Sequence, residues 1–503
     1  MYLWAESEEL PDLSLTALIG EALARHAAAG HIALLDGDDA VTYSNLAEAV
    51  AAMSGSLRVS GIGRGDITGL SFSGKRVGIV AFLAALRVGA CPCLIDPRLP
   101  MATRTAHLTS AGARYLLTDE SSLSRHQGGS SLRITRMDEL ADACPFIDDE
   151  LGPDDRAMVQ FTSGSTGMPK AALLSHRNLV CNAIGVMRHT GIGPQDRFLH
   201  VMPLFHTNGI NNQVIAPLLA GASIALSDRF AAADAQDLID RYRPTIMTGV
   251  PTTYSRILEH CGGQIRAGAL RLLRCGSAPI SAALHEEIEA AFGVPLAVSY
   301  GLSEATCTST INPPSARRIG SVGTVLTHQT VALLEPGGTQ PVGGGREGEV
   351  CIGGPSLMSG YLNAPGERPI VDGWLRTGDL GRFDEDGYLS LTGRIKDVII
   401  RGGENLSPQM IEEVILADPS VAACCIVGRT HHDLGEVPVA FIVRVPGIPL
   451  EGEAVAQRVR TRLSRAHVPQ DIWFVDELPE NAVGKIDRKA LRKLCEREPE
   501  SAP

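Results

Sequence analysis

Aromatic side chains are scarce in this sequence: of 503 residues, 11 are Phe, 8 Tyr and 3 Trp. Excess basic charge is missing too, with 45 Lys+Arg against 57 Asp+Glu and a net charge of −12. Nucleic-acid binders need stacking rings or a basic face, so no nucleic-acid partner is expected, although local basic sites can still meet phosphates. Long apolar runs are absent. The longest, Val77 to Leu86 and Ile215 to Leu226, fall short of the roughly 20 residues that span a bilayer. The N-terminal MYLWAESEEL has neither the basic start nor the apolar core of a secretion signal. These absences lead to the expectation of a soluble, cytoplasmic protein with no transmembrane segment. No CxxC pair occurs among the 11 cysteines, which removes zinc and redox spacings and predicts that most are small core residues.

What is present is an ordinary globular composition, 44% hydrophobic and 20% charged. The length allows two to four folding units at roughly 100 to 200 residues each. An amphipathic helix near Leu13 leads into a strand-turn unit (HIALLDGDDAVTYSNLAEAV) that turns at Asp36-Gly37. Apolar runs then alternate with segments of helical spacing. ITGLSFS, CPCLID, ARYLLTD, RFLHVMP, ASIALS, TIMTGV and LRLLRCG predict buried strands, and VGIVAFLAALRVG, HRNLVCNAIGVMRH, AQDLIDRYR and SAALHEEIEAAF predict helices between them. This alternation predicts an α/β body of doubly wound subdomains with largely parallel sheets. Past Gly320, Gly-rich strand-like pieces predict a small β region, and the last hundred or so residues read as a separate α+β C-terminal lobe.

The strongest local signal is FTSGSTGMPK (161–170). Gly164 and Gly167 allow close backbone approach, Thr162, Ser163, Ser165 and Thr166 add donors, and Lys170 adds a cation, a set suited to a polyphosphate. A Ser/Gly linker is the alternative, but the loop is expected between a buried strand and a helix. Pro169 before the Lys and Ala171 after it exclude a Walker A loop. GIGRGD (61–66) lacks the third Gly of a dinucleotide fingerprint and reads as a turn.

From this loop onward the chain resembles the adenylate-forming superfamily of acyl-CoA synthetases, peptide-synthetase adenylation domains and firefly luciferases. FTSGSTGMPK is followed in family order by PLFHTNG (203–209), CGSAP (275–279), SYGLSEAT (299–306), GEVCIGGPSLMSGY (348–361), GWLRTGDLG (373–381), GRIKDVIIRGGENLSP (393–408) and LPENAVGKIDR (478–488). The resemblance covers essentially the whole chain. It implies ATP, Mg²⁺ and CoA as cofactors, with a carboxylic acid made into acyl-AMP and then acyl-CoA. Loading of a carrier protein is the alternative, as is a variant restricted to thioesterification of pre-formed acyl-AMP, the reading that Ala171 in place of the family's Gly leaves open.

Residue by residue, the resemblance implies that Tyr300 stacks on adenine and that Glu304, with Thr166, ligates Mg²⁺; a π face and a hard carboxylate oxygen suit those tasks. Asp379 would take the ribose hydroxyls and Arg394 would touch the nucleotide from the lobe boundary. Lys485 would bridge the substrate carboxylate and the α-phosphate as the catalytic cation. His206, Asn208, Gly209, Val250, Gly276, Ser277, Ala278 and Gly301 would line or gate the acyl pocket, with Ser299 and Ser303 in the adenine block. The absence of the FDxS block argues against an α-amino acid, and no isolated cation stands out in the pocket segments to pair with a second carboxylate. Domain 1–394 would bind ATP and the acyl group. Domain 395–503 would be a mobile lobe turning about Lys396, with Arg401, Gly402 and Gly403 on its thioester-forming face. A monomer or homodimer is expected.

Overall fold

The computed structural model describes residues 9–120, 132–162, 169–343, 345–480 and 486–497. The alternation of apolar strands and amphipathic helices is realised as two largely parallel sheets. One has nine strands, in the order Thr324–Val325, Thr310–Ile311, Leu296–Tyr300, Leu272–Cys275, Ile246–Gly249, Arg197–His200, Ser223–Leu226, Ile32–Asp36 and Asp39–Thr42. Its inner pairings are parallel and its two edges antiparallel. The other is all-parallel: Cys91–Leu94, Ile67–Ser71, Tyr115–Thr118 and Arg133–Arg136. Every strand run and helical segment read from the sequence in this body lies within two to four residues of an observed element.

Helices Leu15–Ala28, Tyr43–Val59, Lys75–Arg87 and His176–Thr190 pack around one large core. Leu15, Leu18, Leu46, Phe82 and Ile184 are fully buried there. Ser14 and Ser175 cap two of these helices through their side-chain oxygens, satisfying first-turn N–H groups. The cysteines behave as small hydrophobes, all but Cys144 and Cys261 being buried.

Two expectations need correction. The stretch 43–50 is not part of a strand-turn unit but the start of helix Tyr43–Val59, capped by the Thr42 hydroxyl. The loop of 163–168 does not join a strand to a helix: it joins Arg156–Thr162 to the antiparallel strand Lys170–Ser175. The run KAALLS is buried on both faces, so pairing with Arg156–Thr162 satisfies its backbone, and the helix starts only at His176.

Beyond residue 320 an antiparallel sheet forms from Thr330–Leu334, Gly348–Gly353, Trp374–Phe383, Ile370–Val371 and Leu389–Arg394. The C-terminal lobe has its own sheet (Ile399–Arg401, Glu404–Leu406, Val421–His431, Gly435–Arg444, Asp471–Phe474) and its own core around Ile411, Ile426 and Val459. Ser407 donates to the carbonyl of Thr392 and Gln409 to that of Leu391, tying the lobe to the last strand of the small β sheet. Among the described residues no helix is long and apolar enough to cross a membrane.

Candidate functional site

The parallel strands deliver the chemistry-bearing blocks at their carboxyl ends, where open α/β sheets leave crevices for ligands. Leu272–Cys275 runs into Gly276, Ser277 and Ala278, and Leu296–Tyr300 carries Ser299 and Tyr300 into Gly301 and the short turn Ser303–Ala305. These blocks touch. A Cβ on Gly301 would lie 2.0 Å from the carbonyl oxygen of Cys307, so only glycine fits there, and one on Gly276 would lie 2.6 Å from Ser299 Oγ, which would have to turn away. Ser277 (φ 69°) and Thr306 (φ 72°) adopt left-handed backbone conformations that non-glycine residues rarely keep, and both flank this crevice.

At its centre, Tyr300 donates its hydroxyl to Asp379 Oδ2 at 2.7 Å, and Arg394 Nε donates to Asp379 Oδ1. Asp379 is 4% exposed. Thr377 holds the strand beneath it, donating to the carbonyl of Val350 at 2.6 Å while accepting from the Asp379 N–H. Burial, and then the Asp379 charge, push the Tyr300 phenol well above its ordinary value, so it stays a donor. Arg394, Lys396, Thr377 and Gly378 border an open cleft of about 360 Å³ at the junction of the two lobes. Lys396 itself is exposed, in the short turn Ile395–Asp397.

Beside this cluster, Tyr361 donates to Glu304 Oε1 at 2.7 Å. Lys170 places its ammonium 5.1 Å from the centre of the Tyr361 ring and pairs with Glu367. Lys170, Tyr361 and Glu304 thus form a chain from the end of the phosphate-loop hairpin to the carboxylate expected to meet Mg²⁺. That ion keeps water and phosphate oxygens in its shell and needs only one or two protein carboxylates, so Glu304 suits it. Thr162 and Lys170 are direct register partners at the base of the hairpin. Ser163, Gly164, Ser165, Thr166 and Gly167 lie outside the described residues. Ala171 is fully buried in the core with Val159 and Leu173, with its N–H bonded to Asn363 Oδ1 at 2.8 Å. Its methyl therefore packs in this core.

In the pocket segment, Gly209 passes so close to Pro203 that a Cβ would lie 1.9 Å from its carbonyl oxygen. From Asn208 to Ile215 the chain forms a π-helical stretch, a form common at functional sites. His206 is half-buried, its ring 4.9 Å from that of Phe205, and Val250 opens helix Pro251–Cys261. On the small lobe, Arg401 Nη1 donates to the carbonyls of Ala466 and Val468, and Gly402 and Gly403 make the tight turn at φ 58° and 88°. Lys485 lies outside the described residues. The base of its loop is closed by the bridge between Glu480 and Ile486, and Glu480 pairs with Arg256 of the large body at 3.2 Å.

Sequence reasoning missed Tyr361, Thr377 and Asn363, although Tyr361 and Thr377 fall inside quoted blocks. What makes each matter is a partner distant in sequence. It also passed over Arg274, an isolated cation one residue before Cys275-Gly276.

The family model for AMP-binding enzymes matches residues 21–362, and that for their C-terminal domain matches 410–485. A 2-succinylbenzoate–CoA ligase of Bacillus licheniformis is 32% identical over 92% of this chain and 96% of its own length. A feruloyl-CoA synthase of an Amycolatopsis species is 32% identical over 92% and 95%. ATP-bound MatB of Rhodopseudomonas palustris superposes with a TM-score of 0.89 at 28% identity, covering 96% of this chain and 99% of the other. The chain belongs to the AMP-binding enzyme family. Within it, the chain is an acid–thiol ligase of the AMP-forming acyl-CoA synthetase class.

Proposed function

We propose that this ligase activates its acid at the cluster of Tyr300, Asp379, Arg394 and Glu304 and then passes the acyl group to CoA. ATP, Mg²⁺ and CoA are its cofactors. The observation that carries the residue assignment is the Tyr300–Asp379–Arg394 cluster, which joins an adenine-sized ring, a ribose-binding carboxylate and a cation from the lobe boundary. Asp379 accepts from the two ribose hydroxyls through its remaining lone pairs, and Tyr300 presents its ring face to the base. A carboxylate oxygen of the acid attacks the α-phosphorus and pyrophosphate leaves. Lys485 neutralises charge where the two anions meet, and Glu304 would hold Mg²⁺, which would supply neutralising charge to the phosphates. The thiolate of CoA then attacks the acyl carbon, and AMP leaves with its new phosphate oxygen.

The large body ends near Arg394, and the lobe 395–503 turns about Lys396 to exchange the Lys485 loop for the Arg401–Gly403 turn. The anchoring of the Lys485 loop base by Arg256 and Glu480 supports an arrangement suited to the first half-reaction. The test is a panel of carboxylic acids with ATP, Mg²⁺ and either CoA or a holo carrier protein, read by mass spectrometry for acyl-AMP and thioester. Acyl-AMP and acyl-CoA with at least one acid, and loss of acyl-AMP by orders of magnitude in Lys485→Ala, are expected. Rapid loading of the carrier protein with negligible CoA turnover would replace the acceptor.

A further inference from the structure

The central sheet has one face on the main core and one on a second core. Phe198, Ile246, Leu272 and Ala297 belong to the main core, whereas Leu199, Met247, Leu273 and Cys275 pack on the opposite side. Two residues further along three of these strands, the main-core face turns polar, with His200, Thr248 and Arg274. Thr248 and Arg274 are direct neighbours in the parallel register. This polar row lies at the carboxyl ends of the strands, one residue before the Cys275–Ala278 pocket block.

The row is under-satisfied. Arg274 is 1% exposed, yet its Nε and Nη1 have no hydrogen-bond partner. Thr248 Oγ1 and His200 Nδ1 are also unpartnered, as are Asn211 Oδ1 and Gln213 Oε1 on the π-helical stretch. Burial lowers the Arg274 pKa to about 10, so the guanidinium stays charged at neutral pH. The groups that act on that charge are Cys307 and Tyr254, with no carboxylate among them. Burial keeps both of these groups protonated. The Thr308 hydroxyl donates to the Cys307 thiol at 3.7 Å and accepts from Asn212 Nδ2 at 2.9 Å, which links the surroundings of Arg274 to the π-helical pocket stretch. A buried cation without a counter-ion is among the most costly features of a protein interior. Nothing in the described residues repays it; a ligand can.

We propose that the acid taken by this enzyme carries, beside the carboxylate that is adenylated, a second anionic group, a carboxylate or a sulfonate, and that Arg274 anchors it with Thr248 as a neighbouring hydroxyl donor. This rests on the ligase reading above and narrows its substrate class. It also revises the expectation that the pocket segments offer no cation for a second acid group, because the strand leading into the block supplies one.

The experiment compares matched acids on the full-length enzyme with ATP, Mg²⁺ and CoA: a monoacid, its ω-carboxylate and its ω-sulfonate, over several chain lengths and one aromatic series. For at least one series, kcat/KM for an anionic member is expected to exceed that of the monoacid by at least about 100-fold, a lower bound beneath the roughly 10⁴- to 10⁵-fold by which sites built around buried polar groups reject analogues lacking their partner. The carboxylate and sulfonate arms distinguish the two groups. Arg274→Met should level the ratio while retaining the melting shift induced by ATP and Mg²⁺, and Arg274→Lys should restore part of it. If Arg274→Met does not fold, the wild-type ratio alone decides. Monoacids turned over as well as their dianionic partners in every series, or a preference unchanged in Arg274→Met, would overturn the proposal while leaving the ligase intact. If no acid forms acyl-AMP, the ligase reading falls and this inference with it.

Discussion

Tyr300 and Asp379 are joined by a 2.7 Å hydrogen bond across 79 residues of sequence, which makes the proposed base-stacking ring and the proposed ribose anchor one unit. Tyr300→Phe keeps the ring and removes one donor to a buried carboxylate. A hydrogen bond to a charged group, worth about 1.5 kcal/mol at the low end of its range, predicts a rise of roughly 10-fold in KM for ATP with little change in kcat. Asp379→Asn cannot stay ion-paired with Arg394 and should lower kcat/KM for ATP by roughly 100-fold. Steady-state kinetics with ATP varied checks both, and an unchanged KM for ATP in Tyr300→Phe would break the link.

Glu304 and Tyr361 should separate in their response to metal. Glu304→Gln removes the charge and is expected to raise the Mg²⁺ concentration needed for half-maximal adenylation by at least about 10-fold, whereas Tyr361→Phe removes one hydrogen bond and should raise it only a few-fold. Titration of acid-dependent ATP/pyrophosphate exchange with Mg²⁺ is the measurement. A normal Mg²⁺ requirement in Glu304→Gln would place the metal elsewhere.

Lys396→Pro should divide the reaction. The side chain is exposed in the turn between the lobes, so the substitution acts on the backbone torsions of that turn rather than on packing. Acyl-AMP formation is expected to stay within about 3-fold of wild type while acyl-CoA formation from synthetic acyl-AMP falls by more than roughly 100-fold. Equal loss in both assays would remove the hinge from this position.

Lys75 gives a pH-dependent stability. Burial, only partly opposed by Asp228, lowers its pKa from 10.5 to about 7, and its ammonium donates to the carbonyl of His200 at 2.8 Å. Between about pH 7 and 10.5 the unfolded chain therefore holds a proton that the folded chain has released. Stability rises with pH through that window, and the contribution is lost as pH falls toward 7. Lys75→Met should raise the melting temperature most near pH 7, with the gap to wild type closing toward pH 10. Thermal melts across this range check it, and a gap independent of pH would contradict it.

The sequence made the sheets legible because parallel strands buried on both faces read as short apolar runs, as CPCL and IMTG do. It was less informative where side-chain pattern and local role diverge. Tyr43–Val59 is rich in Ala and Ser, so its helical stripe is weak, and its start blended into the preceding hairpin. KAALLS gave no signal of its pairing partner, so the phosphate loop was expected before a helix rather than at a hairpin tip. Tyr300, Asp379, Arg394 and Glu304 were identified through their blocks, but their bonds to one another and to Tyr361 span distances in sequence that no local pattern encodes. Arg274 was hidden for the opposite reason: within LRLLRCG neither Arg271 nor Arg274 breaks the apolar run, and only burial without a partner sets Arg274 apart.

The most direct test of the account follows one oxygen atom. The accepted acid, labelled with ¹⁸O in its carboxylate, is incubated with the enzyme, ATP, Mg²⁺ and CoA, and the nucleotide product is analysed by mass spectrometry. Attack of the carboxylate on the α-phosphorus followed by thiolysis at the acyl carbon predicts AMP carrying one ¹⁸O, formed in equal amount with pyrophosphate and acyl-CoA. ADP with the label in inorganic phosphate, or AMP without label, would contradict it.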